Sequence, residues 1–323
     1  MFSAIFSSLS FFLLMIPLNP LILNIENNIF FDNIKNPIIC LFILLLIPAI
    51  LFSKINKIIK LINSFIFLFI FFIPFHVEGE SVEKNIKVAV IQVGLYYEMG
   101  GNTTKFFDDL YQFLIKNKDL DIIVFSENVV YGHKSDYNKK LTDKLMSEFR
   151  KYNIDKEYAL FLNLHGYTDI NNIITLLMYK GGELINQKQA LIPFIEKNFQ
   201  NDHKKMNSKF LYYDKRLDKK TFRYKNFSID TYICYDALFP RFKIESRDLV
   251  LVQSDYKQLD RGSEFDRILL NGSKLSWFST SINSGLFINV QNYGGTVVIR
   301  KKTGIDKKLF HLSKETPFFI VTT

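Results

Sequence analysis

The hydrophobic pattern divides the chain near residue 76. Three apolar stretches come first, at 2–23, 37–52 and 58–75, and the first contains no charged residue. A helix needs roughly 20 apolar residues to cross a bilayer core, so 2–23 has a full span's length and the other two make short spans. A signal peptide is the rival reading of 2–23. It lacks a basic start and a small-residue cleavage site, and two more apolar runs follow it closely. The pattern therefore predicts a membrane anchor of about three transmembrane helices over residues 1–76.

Beyond Lys84 the pattern becomes alternating strands and helices. KVAVIQV (87–93) reads as a strand, and 104–117 has helical spacing with Thr103 or Thr104 as its cap. DIIVFSE (121–127) reads as a buried strand, and 136–152 as an amphipathic helix. Further strands are predicted at 158–164, 172–179, 182–189, 228–234, 248–254, 285–291 and 295–301, with a long helix over 263–282 around Trp277. This alternation predicts an α/β domain over 84–323 whose helices cover a central sheet. No internal sequence repeat is visible.

Charge adds a compartment. The chain carries +9. Lys35, Lys54, Lys57 and Lys60 against Glu26 and Asp32 account for +2 of it before residue 76, leaving +7 for the remainder. A basic balance suits nucleic acid, anionic lipid or plain solubility. With membrane spans in the same chain the lipid surface is preferred and nucleic acid is set aside. The loop 24–36 is slightly acidic, whereas 53–60 holds three lysines. Positive loops stay in the cytoplasm, so the α/β domain is expected on the outer, periplasmic side of the inner membrane.

Cys40 and Cys234 are the two cysteines, one in an apolar run and one in the α/β region, poorly placed to pair. Neither a disulfide framework nor a cysteine zinc site is available, and His76, His133, His165, His203 and His311 show no ligand spacing. No metal or organic cofactor is expected.

Glu127, Lys188 and Cys234 each stand at or just past the end of a predicted strand, where α/β folds collect functional groups. Taken singly, each has two readings. Glu127 is a desolvated general base or a strand-end acid facing water. Lys188 is fixed positive charge for an oxyanion or an ordinary solvent-facing lysine. Cys234 is a nucleophile at a strand-to-helix turn or a small buried apolar residue.

Together, in this order, the three resemble the Glu–Lys–Cys triad of the nitrilase (carbon–nitrogen hydrolase) superfamily. The string NQKQALIPFIE (186–196) resembles the lysine motif of the apolipoprotein N-acyltransferase branch, with Lys188, Pro193, Phe194 and Glu196 on matching positions. ICYDALFP (233–240) resembles that branch's nucleophile motif. Cys234, Tyr235, Phe239 and Pro240 match, and Asp236 replaces a glutamate. NVQNYGGTVVIRKKTG (289–304) is similar to the family's closing strand. The departures are Ser126 in place of proline, Ile195 in place of glycine, and QSDYKQLDRG (253–262) in place of an Asn–Asp–Ala–Trp–Phe loop. The branch's C-terminal membrane helix has no counterpart before Thr323.

The resemblance implies a four-layer αββα sandwich preceded by about three transmembrane helices, and a ping-pong reaction through a thioester. In it Glu127 is the base, Cys234 the nucleophile, and Lys188 with the Tyr235 N–H the oxyanion site. Glu196 and Asp236 either position Lys188 and the acceptor or are surface charges. The implied partners are a membrane phospholipid as acyl donor and a lipoprotein N-terminus or other amine as acceptor. An amidase of the same superfamily and a conjugal-transfer-type accessory membrane protein are the alternatives. The segment 198–223 mixes aromatic residues with lysines, which suits a lid meeting anionic lipid or a solvated loop. The oligomeric state is not legible.

Overall fold

The computed structural model describes residues 85–117, 119–127, 135–165, 173–179, 182–188, 221–238, 247–260, 262–281, 284–301 and 303–323. The three apolar stretches and the anchor boundary lie outside the described residues, as does most of 198–223. Among the described residues no helix is long and apolar enough to cross a membrane.

The first half runs β1 (Lys87–Ile91), α1 (Val93–Glu98), α2 (Thr103–Lys116), β2 (Ile122–Phe125), α3 (Ser135–Lys151), α4 (Ile154–Glu157), β3 (Ala159–His165), β4 (Ile173–Met178) and β5 (Gly182–Gln187). The second runs β6 (Phe222–Tyr224), β7 (Phe227–Ile233), a 3₁₀ turn (Cys234–Leu238), β8 (Leu249–Ser254), α5 (Phe265–Ser281), β9 (Leu286–Gln291), β10 (Val297–Arg300) and β11 (Gly304–Ile305). It closes with α6 (Lys307–Leu312) and β12 (Phe318–Thr322).

These strands form two six-stranded sheets, ordered β12-β1-β2-β3-β4-β5 and β11-β10-β9-β8-β7-β6. Both follow one plan: an antiparallel edge strand, three parallel strands, then an antiparallel meander. The sequence shows no repeat, yet the topology repeats. Strand pairing requires only matching backbone hydrogen bonds and a matching apolar pattern, so the plan recurs without residue identity.

Three apolar clusters define the layers. Val88, Val90, Ile122, Val124 and Phe161 of the first sheet pack on Ile229, Leu249, Leu251, Ile288 and Val298 of the second. The first sheet's other face, through Ala89, Ile123 and Leu160, packs on Phe106, Leu110 and Leu114 of α2 and on Leu145 and Phe149 of α3. The second sheet's other face, through Val250, Val252 and Phe287, packs on Leu269 of α5 and Phe310 of α6. The layering is helix, sheet, sheet, helix. Strands covered on both sides read as continuous apolar runs, which is why the central strands were legible.

Several local expectations are corrected. The strand expected over 87–93 stops at Ile91. Gln92 is wholly buried, its Nε2 donates to Ser313 O (2.6 Å), and α1 starts at Val93. Asn102, rather than either threonine, caps α2. Its backbone is extended (φ −133°), and its Oδ1 accepts from Lys105 N at 3.0 Å. The threonines already lie inside the helix, where a hydroxyl cannot reach the opening amides. The segment 222–223 belongs to β6 rather than to a loop. The strand β12 was not anticipated; it pairs antiparallel with β1, Val88 opposite Val321, and ties the end of the chain to the start of the domain.

An aromatic cluster fastens α2 to that last strand. Phe106 is fully buried, with ring centroids 5.2 Å from Tyr96 and 5.9 Å from Phe318. Phe106→Ala should cost about 3–5 kcal/mol, measured as a lower urea midpoint with an unchanged slope.

Candidate active site

The parallel strands of both sheets end at one edge of the sandwich, and the candidate residues collect there. Glu127 stands two residues past β2, Lys188 one past β5, and Cys234 one past β7. Polar bridges between the sheets align these ends. Gln253 of β8 donates to Phe125 O (2.8 Å) and accepts from Thr175 Oγ1 (2.6 Å), while Asn186 Nδ2 donates to Thr231 O (3.0 Å).

A bulge sends Lys188 inward. Opposite β4, Thr175 pairs with Asn186 but Leu176 pairs with Leu184, so Ile185 is the extra residue. Side chains alternate along a strand, yet Ile185 joins the inter-sheet cluster and its neighbour Asn186 also reaches across to Thr231. The bulge shifts the alternation by one residue, and Lys188 then shares the inward side with Asn186. The Lys188 N–H donates to Ile173 O at 2.9 Å.

Lys188 Nζ lies 3.2 Å from Glu127 Oε1, and the residues are 1% and 4% exposed. Neither is a surface charge, which removes the solvent-facing reading of each. Cys234 is also buried, at 4%. It opens the 3₁₀ turn with φ at +45°, a left-handed conformation that costs a non-glycine residue about 1–3 kcal/mol. Such strain is retained where the surroundings impose it, commonly at functional sites. Cys234 packs in one cluster with Ile173, whose carbonyl holds Lys188, and with Tyr256. Tyr256 is fully buried, so its hydroxyl holds its proton well above the usual phenol range. Negative charge on Cys234 or Glu127 would push the same way.

Asn292, one past β9, is the hub of the edge. Its Oδ1 accepts from Ser126 Oγ (2.9 Å) and Gly94 N (2.8 Å), and its Nδ2 donates to Asp255 Oδ2 (3.2 Å). Its backbone N–H donates to Ser254 O (3.0 Å), and its carbonyl accepts from Leu95 N (2.9 Å). One residue therefore joins the ends of β1, β2, β8 and β9. Ser126, which departs from the resembled family's proline, supplies a hydroxyl bond that proline lacks. Two glycines let the chain turn sharply after the hub. Gly295 has φ +78°, and a Cβ there would sit 2.4 Å from Leu269 Cδ1.

Of the expected supporting residues, Tyr235 and Asp236 are buried within the 3₁₀ turn, so Asp236 is not a surface charge. Glu196 lies outside the described residues, as does Ile195. Asp255, Asn292 and Gln253 were not singled out from the sequence, although Gln253 and Asp255 belong to the loop noted as atypical. Burial raises the Asp255 carboxyl above the usual range, against the opposing pull of the Lys257 N–H, Asn292 and the charges of Lys188 and Lys257. Asn163, on the inter-sheet side of β3 opposite Thr175, is buried with both side-chain polar atoms lacking a hydrogen-bond partner. Among the described residues no group of three His, Cys, Asp or Glu is arranged to hold a metal.

Neither a family model nor a curated protein matches the chain. Among solved structures it is similar to a branch 10 member of the nitrilase superfamily from Saccharomyces cerevisiae, with 14% identity and a TM-score of 0.44 over 71% of this chain and 87% of that one. It is also similar to a carbon–nitrogen hydrolase from Helicobacter pylori, with 12% identity and a TM-score of 0.46 over 68% of this chain and 84% of that one. A third is the glutamine-dependent NAD+ synthetase of Acinetobacter baumannii, with 17% identity and a TM-score of 0.42; the match covers 74% of this chain and 45% of the synthetase. The first two are nitrilase-superfamily proteins at low identity. What this site does has to come from its own geometry.

Glu127→Gln removes the carboxylate 3.2 Å from the buried Lys188 ammonium and should destabilise the fold by about 3–5 kcal/mol. Adding Lys188→Met should recover much of that loss, as read by urea unfolding of single and double variants. Asp255 gives a pH signature. Its raised pKa means that the folded chain holds the proton more tightly than the unfolded chain. The stabilisation from that proton is complete below the ordinary carboxylate range and fades as pH rises through the raised value. Asp255→Asn removes this titration. The thermal midpoint of the wild type, relative to the variant, should therefore fall as pH rises above the ordinary carboxylate range.

Proposed function

We propose that this chain is a membrane-anchored cysteine acyltransferase of the nitrilase superfamily, moving an acyl chain from phospholipid to an amine such as a lipoprotein N-terminus. The observation that carries the acyl-transfer chemistry is the buried Glu127–Lys188 pair at the strand edge shared with a strained, buried cysteine. The lysine and nucleophile motifs at 186–196 and 233–240 support the branch, and the apolar residues 1–76 support the anchor.

Glu127 takes the thiol proton as Cys234 Sγ attacks the ester carbonyl, because the thiolate is the reactive form. The negative charge that develops on the carbonyl oxygen is held by the Lys188 ammonium and the Tyr235 N–H. In this desolvated setting fixed donors are worth far more than in water. Collapse breaks the ester C–O bond, and the lysophospholipid leaves with the proton that Glu127 returns. The acyl group now rests on Cys234 as a thioester. The acceptor amine attacks the same carbonyl carbon, Glu127 takes its proton, and collapse restores the thiol and releases the amide. Asp236 and Glu196 would position Lys188 and the acceptor.

Incubation of the detergent-purified protein with phospholipid vesicles, followed by intact-mass measurement, tests this reading. A hydroxylamine-labile gain equal to one fatty acyl chain is expected, absent in Cys234→Ala. No gain in either protein would end the phospholipid reading and turn attention to small-amide hydrolysis by the same three residues.

A further inference from the structure

The loop after β8 holds a carboxylate wired to the Glu127 side of the site. Asp255 uses both oxygens: Oδ1 accepts from Lys257 N (3.0 Å) and Oδ2 from Asn292 Nδ2 (3.2 Å). The second bond decides which way the Asn292 amide faces. With Nδ2 committed to Asp255, Oδ1 is left to accept from both Ser126 Oγ and Gly94 N. Turned over, Asn292 would present a donor to the Gly94 N–H, which is itself a donor. Ser126 directly precedes Glu127 in the chain. Its backbone is held as well, by the bond from Ser126 N to Ile91 O at 3.0 Å. The Lys188 charge favours the ionised form of Asp255, against the larger effect of burial.

We infer that Asp255 is a positioning residue, which fixes the Asn292 amide and, through the Ser126 hydroxyl, the placement of Glu127. The inference rests on the reading of Glu127 as the base for Cys234. A carboxylate is needed because two donors converge on it and each requires its own oxygen. Asparagine at 255 offers one acceptor oxygen and a competing NH₂, so either Lys257 N or Asn292 Nδ2 loses its partner. The neighbouring charges are Lys188 from the end of β5 and Lys257 from the same loop. Lys257 is paired with Glu98 of α1 at 3.3 Å and lies over the Tyr293 ring.

Cys234 alkylation by iodoacetamide tests this without any acyl substrate, with peptide-resolved mass spectrometry keeping Cys40 separate. Glu127→Gln, Asp255→Asn, Ser126→Ala and the Asp255→Asn/Ser126→Ala double variant are compared with wild type at neutral pH. Asp255→Asn and Ser126→Ala should each slow labelling on the order of tenfold, since small misplacements of a base cost such factors. The double variant should be no slower than Asp255→Asn, because both act along one line of contacts. Near pH 10, where a thiol ionises without help, the variants and wild type should converge; a merely structural loss would persist there.

Wild-type labelling in Asp255→Asn, a double loss equal to the product of the single losses, or a difference that survives at high pH would each overturn the inference. If Asp255→Asn does not fold, as judged by its circular-dichroism melt, Ser126→Ala decides alone, and a wild-type rate in it is equally fatal. A wild-type rate in Glu127→Gln would instead overturn the base assignment itself, which is a separate result.

Discussion

The edge of this sandwich is organised around one buried ion pair. Glu127 and Lys188 sit 3.2 Å apart with side chains 6% and 0% exposed. Removing either ion from water costs several kcal/mol, so each is tolerable only while the other stays in place. That makes the relative position of β2 and β5 a condition of the fold at this edge. The sandwich body is ordinary apolar packing, which accepts small slips. The edge instead is tied by directional bonds from Gln253, Asn186 and Asn292, which do not. A sandwich selected for stability alone would do as well with apolar groups of similar volume at these places.

The cysteine fits the same logic from the second sheet. Its left-handed backbone at the end of β7 is unfavourable locally, and the burial of Tyr235, Ala237 and Leu238 around it holds the turn. Gly272 of α5 has a related role, since a Cβ there would come within 2.9 Å of the Tyr256 ring that packs behind Cys234. Strain, close backbone approach and a desolvated pair of charges thus meet at one edge, while the apolar layers supply the stability that offsets them.

How much of this was legible depended on the range of the signal. The central strands are apolar on both faces and announce themselves as runs of Val, Ile, Leu and Phe. The helix α2 was legible from Phe106, Leu110 and Leu114 at helical spacing. Its cap was misplaced because Asn102, Thr103 and Thr104 are all good capping types, and only backbone geometry chooses among them. The strand β12 was missed because its partner, β1, lies more than 200 residues away and no local turn marks the pairing. Glu127, Lys188 and Cys234 stand out in the sequence at strand ends and in motif strings, but their burial does not. The bulge at Ile185 that turns Lys188 inward leaves no mark in the sequence. Asn292 was visible only as part of a closing-strand motif, and its five bonds to other segments exist only in three dimensions.

Ser126 and the 253–262 loop connect with one another through Asn292. Ser126 contributes a hydroxyl, and that hydroxyl is held by Asn292, which in turn is oriented by Asp255 from the atypical 253–262 loop. A proline at 126 would leave Asn292 Oδ1 with one donor instead of two. A residue at 255 without a carboxylate would leave the Asn292 amide without its fixed orientation. The hydroxyl at 126 and the carboxylate at 255 therefore act on the same amide from opposite ends. Buried polar groups cost stability unless each is paired. Here they form an interlocked set around an intact Glu127–Lys188 pair. The loop 253–262 is thereby tied, through Asp255 and Asn292, to the segment that carries Glu127.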